Sequence, residues 1–157
     1  MDVYETAEDI LNEKGSNILA TSPDSTLAVA INLMTEQNIG AILIKDGDQY
    51  VGIWTERDLL KTLVAKNLDP QTARIGDHMQ TNLISAEHSE SIYSLIDKFL
   101  GLRLRHLMVQ RDGRYIGLLS VGDVMRAALQ HQTDELQRMR DIVSLKYYDR
   151  WCYNKKK

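Results

Sequence analysis

Two short segments carry a hydroxyl and a carboxylate at the same spacing: Thr55-Glu-Arg-Asp58 and Ser120-Val-Gly-Asp123. Each follows an apolar run, Tyr50-Val-Gly-Ile-Trp54 or Tyr115-Ile-Gly-Leu-Leu119, and each opens a helical pattern. A hydroxyl at a helix N-cap accepts a bond from the third helical amide, and an acid there complements the helix dipole. That role alone would account for either segment. The same geometry also suits a ligand. A carboxylate at a helix start beside a cleft accepts both hydroxyls of a ribose, while the cap hydroxyl and free amides meet a phosphate. Occurrence of the motif twice weighs toward the ligand.

A second group is cationic. Arg103-Leu-Arg105-His106 leads into the apolar run Leu107-Met-Val109. Guanidinium groups clamp phosphate bidentately and a histidine adds a donor. The bland alternative is a solvated basic stretch at a helix-strand junction. The residues 65 positions earlier, Asn38-Ile-Gly-Ala41, are uncharged, so clefts built on these two stretches are chemically unequal. Arg57 is a further phosphate candidate, or the partner of Glu56 or Asp58 in a surface salt bridge. His78, His88 and His131 have no metal-site spacing and read as surface or packing residues. The lone Cys152 excludes an intramolecular disulfide and a multi-cysteine zinc site. The sequence holds no Walker loop or GxGxxG, and no local Ser-His-Asp or Cys-His arrangement, so no catalysis and no metal are expected.

These candidates sit in an internal repeat. Residues 18–63 lie over residues 83–128 without a gap, with Ile31/Ile96, Tyr50/Tyr115, Gly52/Gly117 and Asp58/Asp123 identical. Leu27, Ala30, Ile31 and Met34 form the buried stripe of a helix, as do Ile92, Leu95, Ile96 and Phe99. Pro23-Asp24-Ser25 and His88-Ser89 offer its N-caps. Ala41–Ile44 and Leu107–Val109 pair as hairpins with the runs 50–54 and 115–119, around Asp46-Gly47-Asp48 and Asp112-Gly113. Helices follow at 56–65 and 121–131, and short strands 18–20 and 83–85 begin each copy. The unit is β-α-β-β-α, too small to bury both faces of its sheet alone. Thr6-Ala-Glu-Asp9 opens a lead-in helix that Gly15 can end, and Asp9-Ile-Leu11 resembles Asp77-His-Met79. The organisation expected is a first repeat with its lead-in at 1–66, a polar linker at 67–74, a second repeat at 75–132 and a tail at 133–157.

The stretches Pro23-Asp-Ser-Thr-Leu27, Gly52-Ile-Trp-Thr-Glu-Arg-Asp-Leu59, Arg105-His-Leu107 and Gly117-Leu-Leu-Ser-Val-Gly-Asp-Val124 resemble a tandem pair of CBS domains, a Bateman module. The lead-in 9–15 and Asn38-Ile-Gly-Ala41 look like a stand-alone bacterial and plant subgroup. The resemblance covers about residues 6–131. It implies an α/β (α+β) fold of two pseudo-symmetric β-α-β-β-α repeats packed sheet to sheet, plus a C-terminal helical tail. It also implies a regulatory rather than catalytic module that binds AMP, ADP, ATP, NAD or S-adenosylmethionine between the copies, AMP foremost. Thr55, Arg57, Asp58, Ile84, Arg105, His106, Ser120 and Asp123 are the nucleotide-binding candidates. A homodimer and a regulated protein partner, not identifiable from sequence, are expected. One departure is visible. Family strands often read Leu-Pro-Val-Val after the Arg/His pair, whereas here Met108 and Leu43 stand at the proline position, which bears on strand geometry and cleft shape.

The whole chain agrees with a soluble domain. It has 157 residues, 43% of them apolar and 26% charged, with 19 basic against 22 acidic side chains and a net charge of −3. This is no global field for nucleic acid. No apolar run reaches the roughly 18 residues of a membrane span. The start Met1-Asp-Val-Tyr-Glu lacks a secretory pattern. A reduced, cytoplasmic compartment is expected. Past the repeat, Met125, Leu129, Gln132, Leu136, Met139 and Val143 are spaced 4, 3, 4, 3, 4, the seam of a short coiled coil or of a helix packed on a partner. The stretch 147–157 holds four of the ten aromatic residues and a local charge of +3. It reads as an aromatic anchor on a dimer with a frayed end, the alternative being contact with RNA, an anionic membrane or a protein groove.

Overall fold

A computed structural model describes residues 6–15, 18–64 and 67–153, with side chains to residue 141. The order of elements is α1 (Ala7–Lys14), β1 (Ala20–Thr21), α2 (Leu27–Glu36), β2 (Ala41–Asp46), β3 (Gln49–Thr55), α3 (Glu56–Val64), a 3-10 turn at Ile75–Asp77, β4 (Ser85–Glu87), α4 (Ile92–Gly101), β5 (His106–Arg111), β6 (Arg114–Ser120) and α5 (Val121–Tyr153). Each repeat forms a three-stranded sheet, β1-β2-β3 or β4-β5-β6, with the first pair parallel and the second antiparallel. The two sheets share register and irregularity: the ladder shifts between Ile44 and Lys45 and again between Val109 and Gln110. Asp112 and Gly113 both take positive φ, the backbone twist that a two-residue hairpin requires.

Helix starts follow the side chains that can cap them. Thr6 and Asp9 form the expected capping box on α1, and Gly15 ends that helix at φ 86°. The caps of α2 and α4 fall later than expected, on Thr26 and Ser91, whose hydroxyls accept the amides of Val29 and Ser94. The parallel strands also begin two residues later than their apolar runs. Leu19 and Ile84 each accept only one sheet bond, from the amides of Leu43 (3.3 Å) and Met108 (2.9 Å). A proline at 43 or 108 could not donate these bonds. The departure from the family strand therefore adds a tether between each sheet and the segment that leads into it.

Alternation along the strands divides the core. Ile42, Ile44 and Trp54 pack with Leu27, Ala30 and Met34 in the first repeat, and Leu107, Val109 and Leu119 pack with Ile92, Leu95 and Phe99 in the second. Leu43 and Met108 point to the other face and belong to neither cluster, yet both are buried. Leu43 lines one cleft with Leu118 of β6, and Met108 lines another with Ile53 of β3, so these faces of the two sheets look toward each other.

The lead-ins cross over. Ala7, Ile10 and Leu11 pack into the core of the second repeat, and α1 is tied there by Glu8 to His88 (2.9 Å) and to Arg111. Conversely, Ile75 and Met79 pack into the core of the first. Leu11 fills the space where a Cβ on Gly117 would stand, and Met79 does the same over Gly52. These are equivalent contacts across the repeat. The linker is also engaged, since the carbonyls of Pro70 and Ala73 accept the amides of Ala28 and Leu27.

Helix α5 does not end near residue 131. It continues to Tyr153 as one helix of 33 residues. The side chains of Val143 and of the aromatic-basic stretch 147–153, and all of residues 154–157, lie outside the described residues.

Candidate functional site

The crossing of the lead-ins and the meeting of the sheets leave two clefts, each walled by both repeats. The first, about 200 Å³, is lined by Thr55, Glu56 and Arg57 from the first repeat and by Ile84, Arg103, Arg105 and His106 from the second, with Gln80 and Asn82 between them. The second, about 640 Å³, is lined by Ser120 and Asp123, by Lys14 at the end of α1, and by Ile18, Leu19, Asn38, Gly40 and Ala41. His106 and Leu118 line both. Of the eight candidates, five therefore meet in the first cleft. Ser120 and Asp123 face the second. Asp58 lines neither, being buried just behind Thr55.

The chain places these side chains by backbone contacts. The carbonyl of Gly40 accepts the amide of Glu56, and that of Arg105 accepts the amide of Val121 (both 3.0 Å). Each junction thus holds the start of β2 or β5 against the start of α3 or α5. Arg103 ends α4 with φ +53°, at the position that Asn38 occupies after α2. Asparagine tolerates this left-handed conformation, whereas arginine adopts it at some cost.

Both carboxylates are already satisfied. Asp58 Oδ2 accepts from the Thr55 amide (3.0 Å) and hydroxyl (2.7 Å), and Oδ1 accepts from Gln80 Nε2 (2.7 Å). Burial pushes its pKa up, but these bonds and the nearby Lys61 ammonium outweigh it and hold the carboxyl below its ordinary value. Ser120 and Asp123 form a full reciprocal capping box (2.8 and 3.2 Å), so the structural role of the motif is realised. Asp123 also receives Lys14 Nζ at 2.7 Å. Burial again raises its pKa, and Lys14 with Ser120 brings it below the ordinary value.

Charge separates the clefts. The first carries Arg57, Arg103 and Arg105 against Glu56. The second carries Lys14 against Asp123, a closed pair. His106 between them is held below its ordinary value, first by burial and then by Lys14, with Arg105 adding to the effect and Asp123 and Glu56 opposing it. Burial and the flanking cations thus favour the neutral form of the imidazole.

Sequence reasoning left out Lys14 and Gln80, the two side chains that occupy the carboxylates. Their signal was the lead-in likeness of 9–11 to 77–79, which brings both segments to matching places over the sheets. Among the described residues, no group of three His, Cys, Asp or Glu side chains could hold a metal ion, and no helix is long and apolar enough to cross a membrane.

The CBS domain model matches residues 7–65 and 75–130, and the fold is that of CBS-domain pairs. The chain belongs to this family. It is 31% identical over 147 residues to the Arabidopsis thaliana CBS domain-containing protein CBSX3, mitochondrial, covering 88% of this chain and 71% of that one. A putative signal-transduction protein with CBS domains from Burkholderia ambifaria has a similar structure, with a TM-score of 0.74 and 32% identity over 80% of this chain and 95% of that one. CBSX2, solved in complex with AMP, gives a TM-score of 0.67 at 26% identity, covering 81% and 98% of the two chains. CBS-domain proteins are generally regulatory modules without catalysis.

Proposed function

We propose that this chain is a sensor that binds an adenine nucleotide, AMP foremost, between its CBS domains. The observation that carries the reading is the convergence of Arg57, Arg103, Arg105 and His106 on one cleft. Three guanidinium groups and an imidazole at one opening suit a phosphate dianion, which they bind by charge-assisted bonds. Arg105 and His106 take the phosphate, Arg57 assists, and Ile84 gives the base an apolar wall. Asp58 takes the ribose diol when Gln80 yields its place on Oδ1. Ser120 and Asp123 form the lesser site. The AMP complex of CBSX2 supports the choice of ligand.

The ligand touches both repeats, so it favours one packing of the sheets, and a regulated protein reads that packing. A thermal-shift panel of AMP, ADP, ATP, NAD, NADH and S-adenosylmethionine tests the reading. A binder at 100 times its dissociation constant adds about 2.7 kcal/mol of stability. If none of the six raises the melting temperature, the chain is an interaction module with empty clefts.

A further inference from the structure

Helix α5 leaves the body of the protein partway along its length. Val124 and Ala127 are buried in the second core, but every residue from Gln132 to Asp141 is exposed. The helix nonetheless continues to Tyr153. Residues 132–153 span about 33 Å at 1.5 Å per residue. In proteins most helical stability comes from the packing of an apolar face rather than from propensity. This one has an apolar face with nothing on it: Met125, Leu129, Leu136 and Met139 are 44%, 62%, 59% and 65% exposed. With Gln132 they alternate by four and three residues, which puts Leu129 and Leu136 at a, and Met125, Gln132 and Met139 at d, of a heptad.

We infer that a second copy of this chain covers the seam, forming a parallel two-stranded coiled coil from Met125 through Met139. The flanking charges select both occupant and direction. The register puts Glu135 at g and Arg140 at the following e. In a parallel pair, g of one helix faces that e of the other, so each Glu135 meets Arg140 of the second copy twice over. An antiparallel pair centred on the same stretch sets Glu135 against Glu135 and Arg126 against Arg140, all like charges. Parallel alignment also stacks Gln132 on Gln132 of the second copy, where a polar seam residue fixes register. The consequence is a dimer whose two sensor bodies lie at one end, with both C-terminal tails leaving from the other. The inference is independent of the nucleotide reading.

Cysteine cross-linking in the full chain tests it, in a Cys152→Ser background. Gln132→Cys, at the seam, is expected to give a disulfide-linked dimer under mild oxidation. Gln137→Cys, on the outer face one turn further on, is expected to remain largely monomeric on a denaturing gel. In the Gln132→Cys chain, Glu135→Arg or Arg140→Glu should slow cross-linking about two- to fivefold, and the double exchange should restore it. Equal cross-linking at 132 and 137, or failure of the double exchange to restore the rate, overturns the parallel coil.

Discussion

Lys14 Nζ lies 2.7 Å from Asp123 Oδ2 and 3.2 Å from the Leu118 carbonyl, pinning the end of α1 to the start of α5 across the larger cleft. The pair joins the first and last helices of the fold and closes the carboxylate that matches Asp58 in the other repeat. Its worth has a definite pH dependence. Asp123 is held below its ordinary pKa, so it contributes stability above the unfolded value of 3.8 that is lost as pH falls through the folded value. Lys14→Met is expected to cost up to about 1 kcal/mol at pH 7, the lysine being partly exposed. The cost should shrink at pH 3. Urea unfolding at the two pH values measures it, and an equal cost at both would show that the ion pair is not its source.

The equivalent contacts of Leu11 on Gly117 and Met79 on Gly52 predict unequal responses to the same change. An added methyl at either glycine overpacks an interface, at about 1–3 kcal/mol. Leucine is branched and held in the second core, whereas methionine has three flexible torsions and yields more easily. At Gly52 an added methyl also meets the Gln80 carbonyl oxygen at 3.1 Å, which a flexible methionine does not relieve, so Gly52→Ala keeps a backbone cost, whereas Leu11→Ala should offset much of the Gly117→Ala cost. Chemical denaturation of the four variants gives the comparison; strict additivity of Leu11→Ala and Gly117→Ala would refute the contact.

His106 provides a titration. Its folded pKa lies below the ordinary 6.5, so it favours the fold while neutral, and that contribution falls away as pH drops from 6.5 toward the folded value. A bound phosphate reverses the bias by favouring the imidazolium. AMP binding near pH 6.5 should then take up part of a proton, seen as a dependence of calorimetric heat on the buffer's ionisation enthalpy. His106→Gln should lose that uptake. Unchanged uptake in the variant would place the proton elsewhere.

Much of this fold was legible because the repeat displays its helix stripe, hairpin and capping motif twice, and each instance supports the other. Leu27 and Ile92, or Gly52 and Gly117, would be weak signals alone. What escaped depends on contacts distant in the chain. Nothing local to residues 7–14 says that α1 packs on the far repeat, because any apolar helix face fits either core until both sheets exist. The closing of Asp123 by Lys14 follows from that crossing and was equally hidden. The cleft entered by Arg105 and His106 was likewise a matter of packing, although their inequality with Gly40 and Ala41 was plain in the sequence. Helix caps were misplaced by a residue or two because Ser25, Thr26, Ser89 and Ser91 all have hydroxyls, and only the backbone turn selects among them.

The central claim is that one cleft holds the phosphate of an adenine nucleotide through Arg105 and His106. Calorimetric titration of the full chain with AMP and with adenosine tests it most directly. One strong AMP site is expected, weakened by salt, with adenosine binding far less tightly. Arg105→Ala should lose about 1.5–3 kcal/mol per charge-assisted bond, on the order of ten- to a hundredfold in affinity. Two equal AMP sites, or adenosine binding as tightly as AMP, would contradict the account.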